Sequence, residues 1–374
     1  MGLKGFGNFI AQLAKSQGVS LFKRVSLETY SGKVIAIDVS GLIYKGMYAE
    51  SGTETRHILA ENDIPKLRFF TYFMNLFTQF KKYDVFPIFI FDTPKGETKE
   101  CYKFETIKKR KERKEKARNE FEKLKGEVDG IEDVEEKMEK MKKMKSLKVQ
   151  TNSVHTYHIT FLKEIIRYLG FAYIFASGEA EALCSRFCGG CKLVVNGKKE
   201  IINSDALISD DYDVFCSPHS SIILRNFKDG KVDEWDVEKI IKILGFETRQ
   251  QMMDFGILIG TDMNDTIFPP KISMQFIQIF KKIKKPKSIS FENIDTSHIK
   301  LAIRMAKYEE VYERINEIRN VFKKAKIGIS AYLKPYFKRS IFHEKDRLLK
   351  EFGEAKNEND KFHLYREFIQ ENLI

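Results

Sequence analysis

The sequence contains no apolar run approaching the roughly 18 residues that a membrane-spanning helix requires. Its opening, MGLKGFGNFIAQLAK, puts charges and glycines where a secretory signal would carry an apolar segment. Gly2 follows Met1, but Phe6 occupies the position where a myristoylation signal wants Ser or Thr. A soluble intracellular protein with no membrane partner is the expectation. Cysteine is scarce and odd in number, at Cys101, Cys184, Cys188, Cys191 and Cys216, which argues for free thiols over a disulfide frame. The spacing Cys184-x3-Cys188-x2-Cys191 is that of half a zinc site, completed at a distance by Cys216 or His219. Structural zinc usually brings two paired clusters, so free thiols are the better reading. There is no internal repeat.

What the chain does have is positive charge, +12 over 374 residues, and enough length to bury a full α/β core. Such a charge suits a phosphate-bearing partner, although codon bias toward lysine produces the same excess. Its distribution is more telling. From Lys99 to Arg118 there are ten Lys or Arg against four Glu. Glu132–Lys145 then mixes Glu, Lys and Met, as a solvated helical excursion would.

Three short runs apolar on both faces read as buried parallel strands: Val34–Ile37, Pro87–Phe91 and Ala206–Ile208. Ala172–Phe175 is a fourth. Leu67–Phe80 and His158–Leu169 have helical periodicity, the latter ending at Gly170. Leu193–Ile202, with Asn196-Gly197 at its centre, reads as a hairpin. Alternating strands and helices imply an α/β fold with a mainly parallel twisted sheet flanked by helices. The expected domains are 1–265, interrupted by a basic helical segment at 99–150, and a helical, basic region at 266–374.

Ligands gather at the carboxyl ends of parallel strands. Asp38 follows the first strand, Asp92 the second, and Asp210, Asp211 and Asp213 the third. One acidic residue after a strand commonly serves as a cap or turn former; three strands ending so are harder to dismiss. Glu179 and Glu181 open a helix, and residues two apart do not share a helix face. One of them is therefore expected to reach the centre directly and the other obliquely. Asp211 and Asp213 point the same way if their strand continues through them. Asp262 completes the set. Converging carboxylates raise one another's pKa unless cations neutralise them. With only oxygen donors and no His nearby in sequence, Mg²⁺ or Mn²⁺ fits better than zinc. Two such ions would suit phosphodiester hydrolysis.

These motifs, in this order, resemble the flap endonuclease family over roughly residues 1–265. The opening Met-Gly-Leu-Lys-Gly-Phe resembles its N-terminal signature, with Gly2 near the active site. Asp38, Asp92, Glu179, Glu181, Asp211, Asp213 and Asp262 match its seven metal-site carboxylates. The resemblance implies a PIN-like fold and 5′-flap endonuclease and 5′→3′ exonuclease activity in replication, repair or recombination. The implied partner is branched or nicked DNA with a 5′ flap or 5′ end. It also implies base stacking by Tyr44, and a gateway helix whose Lys103 and Arg110 stabilise the scissile phosphate. Arg113, Lys114 and Lys271 would be phosphate contacts, and 99–150 a helical arch passing a free 5′ end.

The sequence departs from the family in three places. The Asp92–Lys103 interval is about one helical turn longer than usual, so Lys99 competes for the Lys103 role. The run Asn264–Ser273 has no glycine, whereas the family's helix–two-turn–helix element is glycine-rich and grips duplex phosphates with a bound potassium ion; Ser273 and the two prolines weigh against potassium here. The terminal residues Phe368–Ile374 lack the family's sliding-clamp box, so clamp docking is not expected. A monomer is expected, in the nucleus or at a cytoplasmic replication site such as a viral factory. A junction resolvase or RNA-directed nuclease on the same fold is the rival enzyme reading. A binding scaffold without activity is the rival of another class.

Overall fold

The computed structural model describes residues 2–50, 64–93, 104–128, 130, 133–151, 154, 156–195, 198–280, 316–320, 327–332, 347–355 and 357–372. The chain divides into two compact units. The first comprises Met1–Val39, Tyr83–Lys99 and Ile174–Ala331; the second comprises Ser40–Lys82, Glu100–Tyr173 and Tyr332–Ile374.

The first unit is organised by an eight-stranded sheet of β1 (Lys23–Ser26), β2 (Val34–Asp38), β3 (Phe86–Phe91), β4 (Ala172–Ala176), β7 (Ala206–Ile208), β8 (Ile222–Lys228), β9 (Lys231–Asp236) and β10 (Ile327–Tyr332), in the order β1-β9-β8-β7-β2-β3-β4-β10. Its centre is β2 (Val34–Asp38), flanked in parallel by β3 (Phe86–Phe91) and β7 (Ala206–Ile208). Every residue of β2 and β7 is buried, as expected of strands covered on both faces. Because the three run parallel, their carboxyl ends lie along one edge. That edge carries Asp38, Asp92 and the loop after Ile208.

The other half of the sheet is antiparallel in part, which the sequence reading did not anticipate. β8 (Ile222–Lys228) runs parallel to β7 and then turns back into β9 (Lys231–Asp236), which pairs antiparallel with both β8 and β1 (Lys23–Ser26). The turn is made by Asp229 (φ 51°) and Gly230 (φ 69°), both left-handed, the pattern whose twist matches a two-residue hairpin. A bulge between Arg225 and Lys228 places Asn226 at φ 49°. At the opposite edge, next to β4 (Ala172–Ala176), lies β10 (Ile327–Tyr332). The region after 265 is thus not wholly helical: Ile327, Ile329 and Ala331 alternate with small or polar residues, the period of a strand. The hairpin of β5 (Cys191–Val195) and β6 (Lys198–Ile202) forms as expected, its central Asn196-Gly197 lying outside the described residues.

In the first unit α1 (Phe6–Ser16) buries Phe6, Ile10 and Ala14 along one stripe. The second unit contains α2 (Val39–Glu50, except Val39) and α3 (Ile64–Lys82), whose Phe69, Phe70, Phe73, Phe77 and Phe80 are all essentially inaccessible to solvent. Also in this unit, α4 (Phe104–Val128) and α5 (Val134–Thr151) form an antiparallel helical hairpin. Its narrow core of Ala117, Leu124 and Leu147 is bordered by the Lys140–Glu127 (3.2 Å) and Lys143–Glu120 (2.7 Å) ion pairs. Exposed pairs of this kind contribute only some tenths of a kcal/mol. Asp133 caps α5, accepting from the Glu135 (2.8 Å) and Glu136 (3.2 Å) amides. Packed on α3 are α6 (Thr156–Tyr168), α11 (Arg347–Glu354) and α12 (Glu358–Asn372). Phe70 meets Tyr365 at 5.5 Å and Phe368 at 5.8 Å between ring centroids. Burial of each such ring stabilises by about 1.5–3 kcal/mol, which gives the C-terminal helices a structural role.

In the first unit α7 (Ala180–Cys188), α8 (Val237–Ile243), α9 (Arg249–Ile259) and α10 (Pro270–Phe280) complete the helices, with residues 316–320 helical as well. Asp254 on α9 is fully buried and receives a bidentate pair from Arg319, at 2.6 and 2.7 Å. Among the described residues no helix is long and apolar enough to cross a membrane.

Candidate metal centre

All seven carboxylates singled out from the sequence belong to the first unit. They fall into two adjoining groups.

The first group is Asp92, Glu179 and Glu181, each with an oxygen within 4.8 Å of the others. Asp92 follows β3 directly, and its Oδ1 accepts the Ala180 amide, 2.8 Å away, at the start of α7. Asp92 therefore serves as the helix cap that sequence reasoning weighed for each of these acids, leaving Glu179 without that task. Glu179 sits at the N-cap position with extended backbone (φ −81°, ψ 132°) and makes no side-chain cap bond. That backbone explains why two acids two apart converge, where one was expected to reach the centre directly and the other obliquely or through water. Glu179 is outside the helix, so the helical-face argument does not govern it. Both glutamates are 7% exposed.

The second group is a relay of aspartates. Ser209 Oγ donates to Asp38 Oδ2 (3.1 Å) and accepts the Asp211 amide (3.2 Å). Asp211 Oδ1 accepts the Asp213 amide (3.2 Å), and Asp213 Oδ2 accepts the Asp262 amide (3.1 Å). Here a sequence expectation is corrected. β7 stops at Ile208, and Asp213 opens a 3-10 turn, Asp213–Cys216. Strand alternation does not align Asp211 with Asp213; an Asx-type turn does, because an aspartate side chain readily bonds the amide two residues on. Gly2 seals this side. It lies at φ +87°, and a Cβ there would stand 1.9 Å from Asp211 Oδ1 and 2.8 Å from the Asp213 amide nitrogen. Lys4 anchors the same segment, its amide bonding the Gly260 carbonyl at 3.0 Å.

Cys184 feels the charge of both groups. Cys184 on α7 is buried, and burial above all pushes its thiol pKa well up, with further push from the charges of Asp38, Glu181 and Asp92. Cys216 is raised in the same way, by burial first and then by Asp213, Asp254 and Asp211. Both thiols stay protonated near neutrality. The zinc arrangement weighed from the spacing does not form among the described residues. Cys188 Sγ lies 3.3 Å from Ser204 Oγ, Cys191 lies against the Lys192 carbonyl, and the one metal-capable group found there is carboxylate only.

A cluster of buried like charges is costly without cations to offset it. The oxygen-only donor set, with two glutamates under one-tenth exposed, fits a hard divalent ion.

The remaining candidates are distributed more widely. Tyr44 on α2 is half-buried, Arg113 on α4 exposed and Lys114 half-buried, all in the second unit. Lys271 is exposed at the start of α10 in the first unit. Arg110 belongs to α4, but its side chain lies outside the described residues, as do Lys99 and Lys103 entirely. In the glycine-free run after Asp262, Asn264 organises the turn, its amide group bonding the Ile257 and Asp265 carbonyls at 2.8 Å. Ser273 is buried, and its hydroxyl donates to the Phe268 carbonyl at 3.1 Å. Ser209 was overlooked. The available signal was its place one step beyond a strand and two before Asp211, the spacing at which a serine hydroxyl bonds the backbone.

Two family descriptions match the sequence: the XPG N-terminal domain over residues 1–117 and the XPG I-region over residues 170–262. The flap endonuclease 1 of Naegleria gruberi is 27% identical over 340 residues, covering 89% of this chain and 76% of that protein. Among solved structures, the catalytic core of Rad2 in complex with DNA substrate superposes with a TM-score of 0.53 at 19% identity, covering 100% of this chain and 95% of its own. Human GEN1 in complex with Holliday junction DNA gives a TM-score of 0.53 at 16% identity, covering 100% of this chain and 73% of its own. At such identities the two structures speak to the fold alone.

Proposed function

The chain belongs to the flap endonuclease family of metal-dependent, structure-specific 5′ nucleases, and from that premise we propose that it cuts DNA at a 5′ flap or 5′ end. The observation that carries the reading is the grouping of Asp92, Glu179 and Glu181 beside the Asp38–Asp211–Asp213–Asp262 relay at the carboxyl edge of the sheet.

In this reading the seven carboxylates hold two Mg²⁺ ions, directly or through water, with Mn²⁺ able to substitute. Bound there, such ions supply activation of water and neutralisation of the leaving oxygen. The other roles belong to side chains. Arg110 and Lys103 orient the scissile phosphate and stabilise the charge that develops on it. Tyr44 stacks on a base beside the cut, while Arg113, Lys114 and Lys271 contact backbone phosphates. The α4–α5 hairpin serves as the arch through which a free 5′ end passes. Gly2 keeps the approach to Asp211 clear. No potassium site is proposed, since the run Asn264–Ser273 has no glycine and carries two prolines. The protein is read as a monomer working wherever DNA is replicated or repaired.

The test is a gel assay of a fluorescent 5′-flap duplex with and without Mg²⁺, beside nicked, gapped, four-way-junction and RNA-flap versions. Cutting at the flap base that needs metal and is blocked by a bulky 5′ cap supports both the chemistry and the arch. Asp211→Ala should abolish it while keeping DNA binding. Preference for the four-way junction or the RNA flap would move the reading to those substrates. Parental cutting by Asp211→Ala would overturn the ligand assignment.

A further inference from the structure

The residues on either side of Asp211 are held by one residue outside the carboxylate set. Arg225 lies on β8, one step beyond the Ile208–Leu224 pair that aligns β8 with β7. Its guanidinium donates to the carbonyl of Asp210, the residue before Asp211. The same group lies over the ring of Tyr212, the residue after Asp211, 3.7 Å from the ring centroid. Trp235 is near it on a further side, 5.7 Å away, and Arg225 is only 8% exposed.

The neighbouring residue reinforces this grip. Asn226 donates its amide to Asp210 Oδ1 at 3.2 Å, and its side chain is fixed by Asp233 at 2.7 Å. It does so from left-handed backbone within the β8 bulge. A bulge beside a site commonly re-aims the chain, and here it aims the Asn226 backbone amide at the loop that carries Asp210, Asp211 and Asp213.

From this geometry we propose that Arg225 is a positioning residue for the acidic centre. It clamps Asp210 and Tyr212 so that Asp211, and through the Asp211–Asp213 bond Asp213, present their carboxylates in a fixed arrangement. The inference rests on the reading of Asp211 and Asp213 as metal ligands.

The chemistry calls for arginine in particular. One planar group must both stack on an aromatic face and aim an N–H at a carbonyl, which a lysine ammonium cannot do. Arg225→Lys therefore keeps the charge and removes the clamp. Tyr212→Phe keeps the ring face and should behave as the parent, whereas Tyr212→Leu removes it. Residues that orient metal ligands typically change metal affinity by about 10–100-fold when replaced.

The experiment titrates Mn²⁺ alone into the full chain by calorimetry, with thermal midpoint and duplex-DNA affinity in EDTA measured in parallel. Arg225→Lys and Tyr212→Leu should each weaken Mn²⁺ binding by about 10-fold or more. Their combination should add little further, and duplex affinity should stay within about twofold of the parent, because a clamp acts as one unit. Parental Mn²⁺ binding by Arg225→Lys, whatever its thermal midpoint, would overturn the proposal, and so would fully additive effects. If Arg225→Lys does not fold, Tyr212→Leu against Tyr212→Phe decides alone. Asp211→Ala separates the two levels. If it loses Mn²⁺ binding while Arg225→Lys does not, only the positioning role fails; if it binds as the parent does, the ligand reading fails with it.

Discussion

Gly2 offers the sharpest quantitative test of the acidic centre. Replacing it with alanine introduces a Cβ 1.9 Å from Asp211 Oδ1, where ordinary contact begins at 3.4 Å. The carboxylate must therefore retreat by about 1.5 Å, or the segment must move. Retreat alone does not suffice, because the Asp213 amide nitrogen stands 2.8 Å from the same Cβ and is backbone. The Asp213→Asp211 hydrogen bond is then lost or lengthened. Misplacement of a reacting geometry by about 1 Å typically lowers rate about 100-fold. Alanine at left-handed φ adds strain of roughly 1–2 kcal/mol to the folded state. Gly18 isolates that strain: it sits at φ +65°, and an alanine methyl there would meet nothing within 4 Å. The assay is single-turnover cleavage of a 5′-flap duplex at saturating Mg²⁺, alongside urea unfolding. Gly2→Ala should slow cleavage by about 100-fold or more, while Gly18→Ala should lose only stability. A Gly2→Ala rate within about threefold of the parent would refute the steric reasoning, as would equal slowing by Gly18→Ala.

Three further outcomes are expected. Arg319→Met should destabilise by about 3–5 kcal/mol in urea unfolding, because Asp254 stays buried and charged while losing the guanidinium that neutralises it; Asp254→Asn in the same background should recover part of that loss. Cys184 and Cys216 have folded-state pKa values above the ordinary 9.0, so the unfolded chain releases these protons first. Their contribution to stability is whole below that value and is lost as pH rises from it toward the folded pKa. The unfolding free energy from urea titration should therefore fall between pH 8 and pH 10, by at most about 1.4 kcal/mol per pH unit for each thiol, and Cys184→Ala should flatten the slope. Arg110→Ala should slow turnover far more than it weakens duplex binding, measured on one flap substrate; equal losses would reduce Arg110 to a general phosphate contact.

The acidic centre was legible because each strand in question is short, apolar on both faces and followed at once by aspartate. That combination forces a parallel sheet and puts the acids on one edge. The turns were less legible. Asp211 and Asp213 were expected to align by strand alternation, yet the strand ends at Ile208 and a side-chain-to-backbone bond aligns them instead. Glu179 and Glu181 converge because Asp92 takes the capping task from the end of the neighbouring strand, a contact that local sequence does not encode. β9 was hidden by its own charge, since Lys231-Val-Asp-Glu-Trp-Asp236 places only Val232, Asp233 and Trp235 inside. The inward faces of α11 and α12 were likewise masked: Phe352, Tyr365 and Phe368 are scattered among Lys and Glu, and become a core surface only once α3 is there to receive them.

The position of β10 has a consequence for how the chain is made. Residues 327–332 border β4, so the sheet that carries the acidic centre lacks its last strand until more than three hundred residues have been synthesised. Through that interval the flank of β4 presents unpaired amides and carbonyls, the kind of template on which other chains aggregate. Sheet completion is a long-range event, and such closures are slow relative to helix formation. A fragment ending near residue 265 would retain every acidic residue of the centre and still emerge from the ribosome with this edge bare and Asp254 lacking Arg319. Its yield of soluble material should be limited by aggregation during folding rather than by any loss at the acidic edge.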